Sequence, residues 1–251
     1  MSIKEKVSND YIEEMKNKHA RKLIRRHRSI LLTGAANPSS IGQSIKENAL
    51  IHGHSVAVVD DDVTQSFDRI SEDSTADTLI MCHGAMHLDW IENTPIEDVK
   101  RVLDVNLFGT INVVRAFVKM SLNRPNRKTI ISIGSMAYNK VLNGSSAYCA
   151  SKAGMAHFMK CMAWELAPKG FDVFSIHPSN VENSPMSTET IEGLKRYRHM
   201  SHSEALQYWR TGCLRNSQLT KEEISNLVMF LLTPDVGYLS GTNFDLGGGV
   251  R

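Results

Sequence analysis

Ser135, Tyr148 and Lys152 share one short stretch, S-M-A-Y-N-K-V-L-N-G-S-S-A-Y-C-A-S-K, which sets a hydroxyl, a phenol and an amine within reach of one another. If Tyr148 enters a helix, Lys152 follows one turn later on the same face, where an ammonium can hold the phenol's pKa down towards neutrality. A tyrosine tuned in that way can exchange a proton with a substrate oxygen. Ser135 follows an apolar run, Thr129 to Ile133, that reads as a strand, and from there its hydroxyl can donate to the same oxygen. The three groups predict acid/base chemistry at an oxygen, with the rest of the chain bringing a cofactor to them.

The elements ahead of this stretch are those that bring one. Ser29 to Thr33 is a short apolar run that stops at Gly34 and reads as a buried strand. The loop G-A-A-N-P-S-S-I-G-Q-S-I follows, with Gly34, Ser40, Ile41 and Gly42 offering close backbone approach and free N–H groups where a helix starts, as a phosphate requires. Ile45, Ala49 and Leu50 recur at helical spacing, Gly53 closes the helix, and H-S-V-A-V-V-D is a second strand ending in Asp60. Strand, glycine loop, helix, strand and acid in that order make a dinucleotide-binding unit, whose Asp60 would accept hydrogen bonds from the adenosine ribose. Asp60, Asp61 and Asp62 repel a ribose 2′-phosphate and no Arg or Lys follows closely, so NAD(H) is favoured over NADP(H).

Thr78 to Met81 reads as a further strand leading into C-H-G-A, where His83 is structural or a wall of the cofactor pocket. From Ile96 to Lys119 apolar positions recur at helical intervals with Asn106 among them, either a surface amide or a helix-distorting water anchor facing the site; position alone leaves both open. Tyr148 to Leu166 reads as a long helix, Phe171 to Ile176 as a strand, Lys221 to Leu232 as a helix and Gly241 to Leu246 as the last strand. Residues 183–215 are expected to form a long irregular substrate loop. Its Arg196, Arg198, Arg210 and Arg215 lie beside Tyr197, Tyr208 and Trp209, as in a lid over an elongated or anionic substrate. Solvated helices with an apolar inner face account for the same composition.

With 251 residues, 41% of them hydrophobic and 22% charged, the chain suits one well-buried α/β domain, residues 29–251. A net charge of +2 gives no global reason to expect nucleic acid or membrane as a partner. Cys82, Cys149, Cys161 and Cys213 are scattered, which points to no zinc site or disulfide framework and to a reducing compartment. The first residues show no apolar signal and no stretch is long enough to span a bilayer, so the cytoplasm is expected. Residues 1–28 form a polar extension, basic from Lys16 to Arg28, that reads as a solvated helix or as an arm for an anionic partner.

Taken in order, the glycine loop, Asp60, V-N-L-F-G-T, the Ser135 and Y-C-A-S-K group, the Pro178 loop and G-T-N-F-D-L-G-G-G resemble the short-chain dehydrogenases/reductases over about residues 29–249. The resemblance implies a single-domain α/β fold of Rossmann type, a doubly wound parallel sheet. It implies a catalytic tetrad: Tyr148 as acid/base, Ser135 as polariser, Lys152 as pKa tuner and ribose anchor, Asn106 as holder of a proton-relay water. Cys82, His83, Gly84, Pro178 and Val181 join Tyr148 and Lys152 as expected cofactor contacts. The activity implied is NAD(H)-dependent interconversion of a small-molecule carbonyl and an alcohol, in a homodimer or homotetramer built on the helices containing Asn106 and Met155. A non-catalytic dinucleotide-binding protein of the same fold is the alternative.

The sequence departs from the family pattern in several places. Its glycine loop is two residues longer, with Ser40 in place of the middle glycine, a spacing similar to the enoyl-acyl-carrier-protein reductase branch. That branch has a longer Tyr-to-Lys interval, so its activity is not carried over. N-N-A-G is replaced by Met81-Cys82-His83-Gly84, which removes an asparagine that braces the sheet, and P-G by Pro178-Ser179; Asn183 stands where a threonine is expected. Asp60 and Gly84 are only 24 positions apart (84 − 60), too few for the usual helix, strand and helix. The loss of an edge strand is therefore expected, leaving a six-stranded sheet in which Asp62 and Val63 supply adenine contacts.

Overall fold

Side chains alternate across a strand, so Ile30 and Leu32 face one side of a sheet and Leu31 the other; all three are buried, which requires cover on both faces. The structure, a computed structural model, describes residues 27–59, 62–65, 75–211, 215 and 217–249. Among them six strands form one sheet: β1 (Ser29–Thr33), β2 (Ser55–Val59), β3 (Thr78–Met81), β4 (Lys128–Ile133), β5 (Phe171–Pro178) and β6 (Asn243–Leu246). Their order is β2-β1-β3-β4-β5-β6 and every pairing is parallel. The expected six-stranded, doubly wound sheet is thus observed.

On one face Ile30, Leu32, Ile80, Ile131, Phe174 and Ile176 pack under α1 (Ile41–Ile51) and α7 (Lys221–Leu231), through Ile45, Ala49, Ile224 and Val228. On the other, Leu31, Leu79, Ile130 and Val173 pack under α3 (Gly109–Ser121) and α4 (Ser146–Leu166), through Val113, Phe117 and Met159. A helix α2 (Ile96–Leu103) leads into α3 through a wide π turn, Asp104–Phe108. Because all strands run the same way, Thr33, Met81, Ile133, Pro178 and Leu246 end at one edge of the sheet. The order in which strands are added reverses between β1 and β3, which opens a crevice there.

The expected irregular segment at 183–215 is largely helical, and this corrects the reading as a loop. It holds α5 (Pro185–Arg198) and α6 (His202–Arg210), each opened by a serine whose side chain accepts from the third helical N–H and whose backbone N–H donates to that third residue's side chain. Their inner faces bury Leu194, Tyr197 and Ala205 in a third core with Met86, Leu88 and Val102. The polar composition was that of amphipathic helices, one of the two readings open for this segment. Residues 1–26 of the basic extension, Asp60 and Asp61 lie outside the described residues. None of the described residues between β2 and β3 forms helix or strand.

Candidate active site

Every expected site segment leaves the sheet at the edge where the strands end. Gly34 follows β1 with φ +71°, and a Cβ there would lie 2.5 Å from the Cys82 carbonyl carbon and from the His83 nitrogen. Only glycine lets the loop lie against the exit of β3. A Cβ on Gly42 would lie 2.5 Å from the Gly34 oxygen, so the start of α1 is pressed onto the same loop. Ser40 caps α1 by accepting from the Gln43 N–H at 3.0 Å, and the first turn contains no acid. Gly34, Ser40, Ile41 and Gly42 are thereby brought together at a helix N-terminus, where the Ser40 N–H is already bonded to Asn37 O at 2.9 Å.

The segment after β3 is braced from both sides. His83 Nδ1 lies 2.7 Å from Thr33 Oγ1 and its Nε2 3.4 Å from Thr110 Oγ1, tying β1 and α3 to the exit of β3. Burial, aided by the charge of Lys152, lowers the imidazole to about 3, so it is neutral and can donate through one nitrogen and accept through the other. His83 thus fills the bracing place left by the missing asparagine. Burial pushes the Cys82 thiol up, which keeps it protonated.

Asn106 is fully buried in the π turn, the helix distortion that was one of its two readings. Its Oδ1 accepts from Ala85 N–H at 2.9 Å, and its Nδ2 donates to Ala85 O at 2.8 Å and Ser151 Oγ at 2.9 Å. The amide clamps the Gly84-Ala85 backbone onto α4. Gly84 is the meeting point: a Cβ there would lie 3.3 Å from Asn106 Oδ1, 3.5 Å from Lys152 Nζ and 3.6 Å from Met186 Cε.

Ser135 caps a one-turn helix, Met136–Tyr138, by accepting from the Ala137 N–H at 3.2 Å. Tyr148 stands in the first turn of α4, 3% exposed, and its hydroxyl donates to Met186 Sδ at 3.5 Å. Lys152 lies one turn on, buried, with Nζ 5.6 Å from the Tyr148 ring centre. The expected drop of the phenol towards neutrality is not found. Burial pushes Tyr148 up to about 12, against the pull of a Ser135 hydrogen bond, and burial lowers Lys152 to about 8. Desolvation sets both directions because both groups sit out of water.

The remaining expected contacts divide. Pro178 ends β5, and buried Val181 forms a one-residue parallel bridge with Leu219. Asp62 Oδ1 accepts from the Thr64 N–H at 2.9 Å and hydroxyl at 2.7 Å, bonds that hold the exposed carboxyl below its usual range. Val63 instead buries its side chain against Gly109, where a Cβ would be 2.6 Å from Val63 Cγ2. Three further residues escaped sequence reasoning. Met186 covers the Tyr148 hydroxyl. His177, on β5, lies under Gly134, where a Cβ would be 2.4 Å from its Nδ1, and stacks on Tyr138 with ring centres 4.0 Å apart. Lys221 donates to Ser39 O at 3.1 Å and Asn183 O at 3.3 Å, joining the glycine loop to the loop after β5. The T-K-E-E cap that opens α7 was the one signal that could have placed Lys221.

Above Ser135 and Tyr148 opens a cavity of about 420 Å³ walled by Met86, Leu88, Met186 and Leu194, with Tyr208 and Trp209 from α6 at its far side. Among the described residues no cluster of three or more His, Cys, Asp or Glu is placed to hold a metal ion. No described helix is long and apolar enough to cross a membrane.

A family model described as enoyl-(acyl carrier protein) reductase matches residues 59–251, and the chain belongs to the short-chain dehydrogenase/reductase family. The vibriobactin-specific 2,3-dihydro-2,3-dihydroxybenzoate dehydrogenase of Vibrio cholerae is 27% identical over 69% of this chain, and the short-chain reductase protein NovJ of Streptomyces niveus 32% over 72%. The aligned regions span 65% and 66% of those relatives' own lengths. An NAD+-bound xylitol dehydrogenase has the same fold, with a TM-score of 0.81 at 21% identity over 90% of this chain and 100% of its own.

Proposed function

We propose that the protein is an NAD(H)-dependent oxidoreductase interconverting a ketone or aldehyde and an alcohol, with Tyr148 as acid/base. The observation that carries this reading is the convergence of Asn106, Lys152 and the Tyr148-bound Met186 on Gly84, under a cavity that also holds Ser135. A dinucleotide fits the residues present. The Gly34–Gly42 loop offers N–H groups and no carboxylate to its phosphates, and side-chain-free Gly84 leaves room beside Lys152. When bound, the cofactor supplies or accepts the hydride. Ser135 donates to the substrate oxygen, and Tyr148, protonated across the neutral range, gives that oxygen its proton. Lys152 holds the cofactor ribose and steadies the phenolate that remains, while Asn106 fixes the backbone beside them.

The exposed carboxylate of Asp62 next to β2 supports NAD(H), since it repels a 2′-phosphate. A cytoplasmic homodimer or homotetramer is in keeping with outward-facing Phe108 and Trp164, 55% and 84% exposed. A purely nucleotide-binding role has no use for the cavity above Tyr148. In the test, Tyr148→Phe lowers kcat for ketone reduction by roughly 10²- to 10⁴-fold while NADH affinity, read by fluorescence titration, is kept. Unchanged turnover would sink the reading.

A further inference from the structure

The cavity above Tyr148 has walls of one character and a mouth of another. Much of its side is apolar, and the hydroxyls that α5 and its cap contribute are engaged: Ser184 and Ser187 cap each other, and Thr190 donates to the Met186 carbonyl at 2.8 Å. Among the described residues the charged side chains lining it are Lys140 and Arg210, both cationic, with no Asp or Glu beside them. Arg210, at the exposed end of α6, forms no ion pair with the described acids. Arg198 stands behind the wall, its guanidinium 5.5 Å from the Tyr197 ring centre and 4.8 Å from that of Tyr208.

Trp209 adds an indole N–H that is buried without an acceptor, and its backbone is held over the cavity by Asn180, whose Nδ2 donates to Trp209 O at 2.5 Å. Two nearby acids have cationic partners, although Glu189 also acts on Tyr148. Asp89 pairs with Arg196, and Glu189 faces Arg101, His87 and Arg196. At the rim, Val141 is 91% exposed and Leu142 lies half open, so an apolar body that fills the cavity has further apolar surface to cover on its way out. A cleft with cations and no acid concentrates anions.

We infer that the substrate is a carbonyl compound with an apolar body and an anionic terminus, its carbonyl oxygen at Ser135 and Tyr148 and its anion at Arg210. The inference takes the redox reading of the site as given. It explains why a segment rich in arginine and aromatic residues folds over the cavity: the aromatics close on the body, Arg210 on its end.

Octanoate and 1-octanol, equal in chain length, separate charge from apolar fit. Titrated calorimetrically into the full chain with NADH at low salt, octanoate should bind about tenfold more tightly, the size of one charge-assisted hydrogen bond. Raising the salt should shrink the difference. Arg210→Gln, an exposed position with little bearing on folding, should erase most of it and Arg210→Lys restore it. Octanoate binding no tighter than octanol, failing to bind at all, or keeping its advantage in Arg210→Gln overturns the inference. Neither probe is reduced by NADH, so the anion preference stands or falls independently of whether Tyr148→Phe stops turnover.

Discussion

All eight residues of β5 are buried, whereas of the five in β2 two are exposed and the other three only partly covered. The two strands lie toward opposite ends of one sheet and differ in their neighbours. β5 is paired on both sides and has helices above and below. β2 is the edge among the described residues, and its Ser55 and Ala57 are exposed. Ser135, Tyr148, Lys152 and His177 all belong to the covered half of the described sheet.

That contrast can be broken by measurement. Phe174, fully buried between α7 and β6, should cost about 3–5 kcal/mol on replacement by alanine, read by urea unfolding. A loss below about 1 kcal/mol would mean the central strand is no better anchored than the edge. A second test uses pH. Burial lowers Lys152 from 10.5 to about 8, so between those values the unfolded chain holds a proton that the folded protein has released, and stability rises with pH from 8 upward. Tyr148 and Cys82, both raised by burial, work in the opposite sense above pH 10 and pH 9, where the folded protein holds the extra proton. Lys152→Met should remove the rise from 8 to 9; a variant that keeps it would place the ammonium in water. The smallest effect belongs to the edge: Val58→Ala should cost about 1 kcal/mol or less, because its side chain is only partly covered. A cost matching that of Phe174→Ala would abolish the distinction.

Much of the covered half was legible in the sequence. The apolar runs at β1, β3 and β4 and the spacing of Tyr148 and Lys152 depend on local pattern, and local pattern places them within a residue or two. The six strands of the described sheet were legible as arithmetic between Asp60 and Gly84. What escaped was set by contacts distant in sequence. His83 bridges Thr33 and Thr110, and Met186 reaches Tyr148 across 38 positions, with no local signature for either. The fall of Tyr148 towards neutrality failed for a related reason: spacing shows that an ammonium is near, but burial, which decides the direction, belongs to the assembled core. At α6 a local signal existed in S-H-S-E, the capping box at Ser201, obscured by the surrounding charge.

The wide turn at Asp104–Phe108 also settles how one rod of helix serves two masters. Winding one extra residue into a turn shifts everything beyond it by about 100° of phase. Ahead of the splice Val102 points into the core with Met86, Tyr148 and Leu194; beyond it Val113, Val114 and Phe117 point into the core beneath the sheet. The two sets act as cams on a single axle, offset so that each meets its own seat, and Asn106 sits where the offset is made. Deleting one residue from the splice would turn one set off its seat and carry the amide away from Ala85, so the timing of the axle and the bracing of the active site are a single piece of construction.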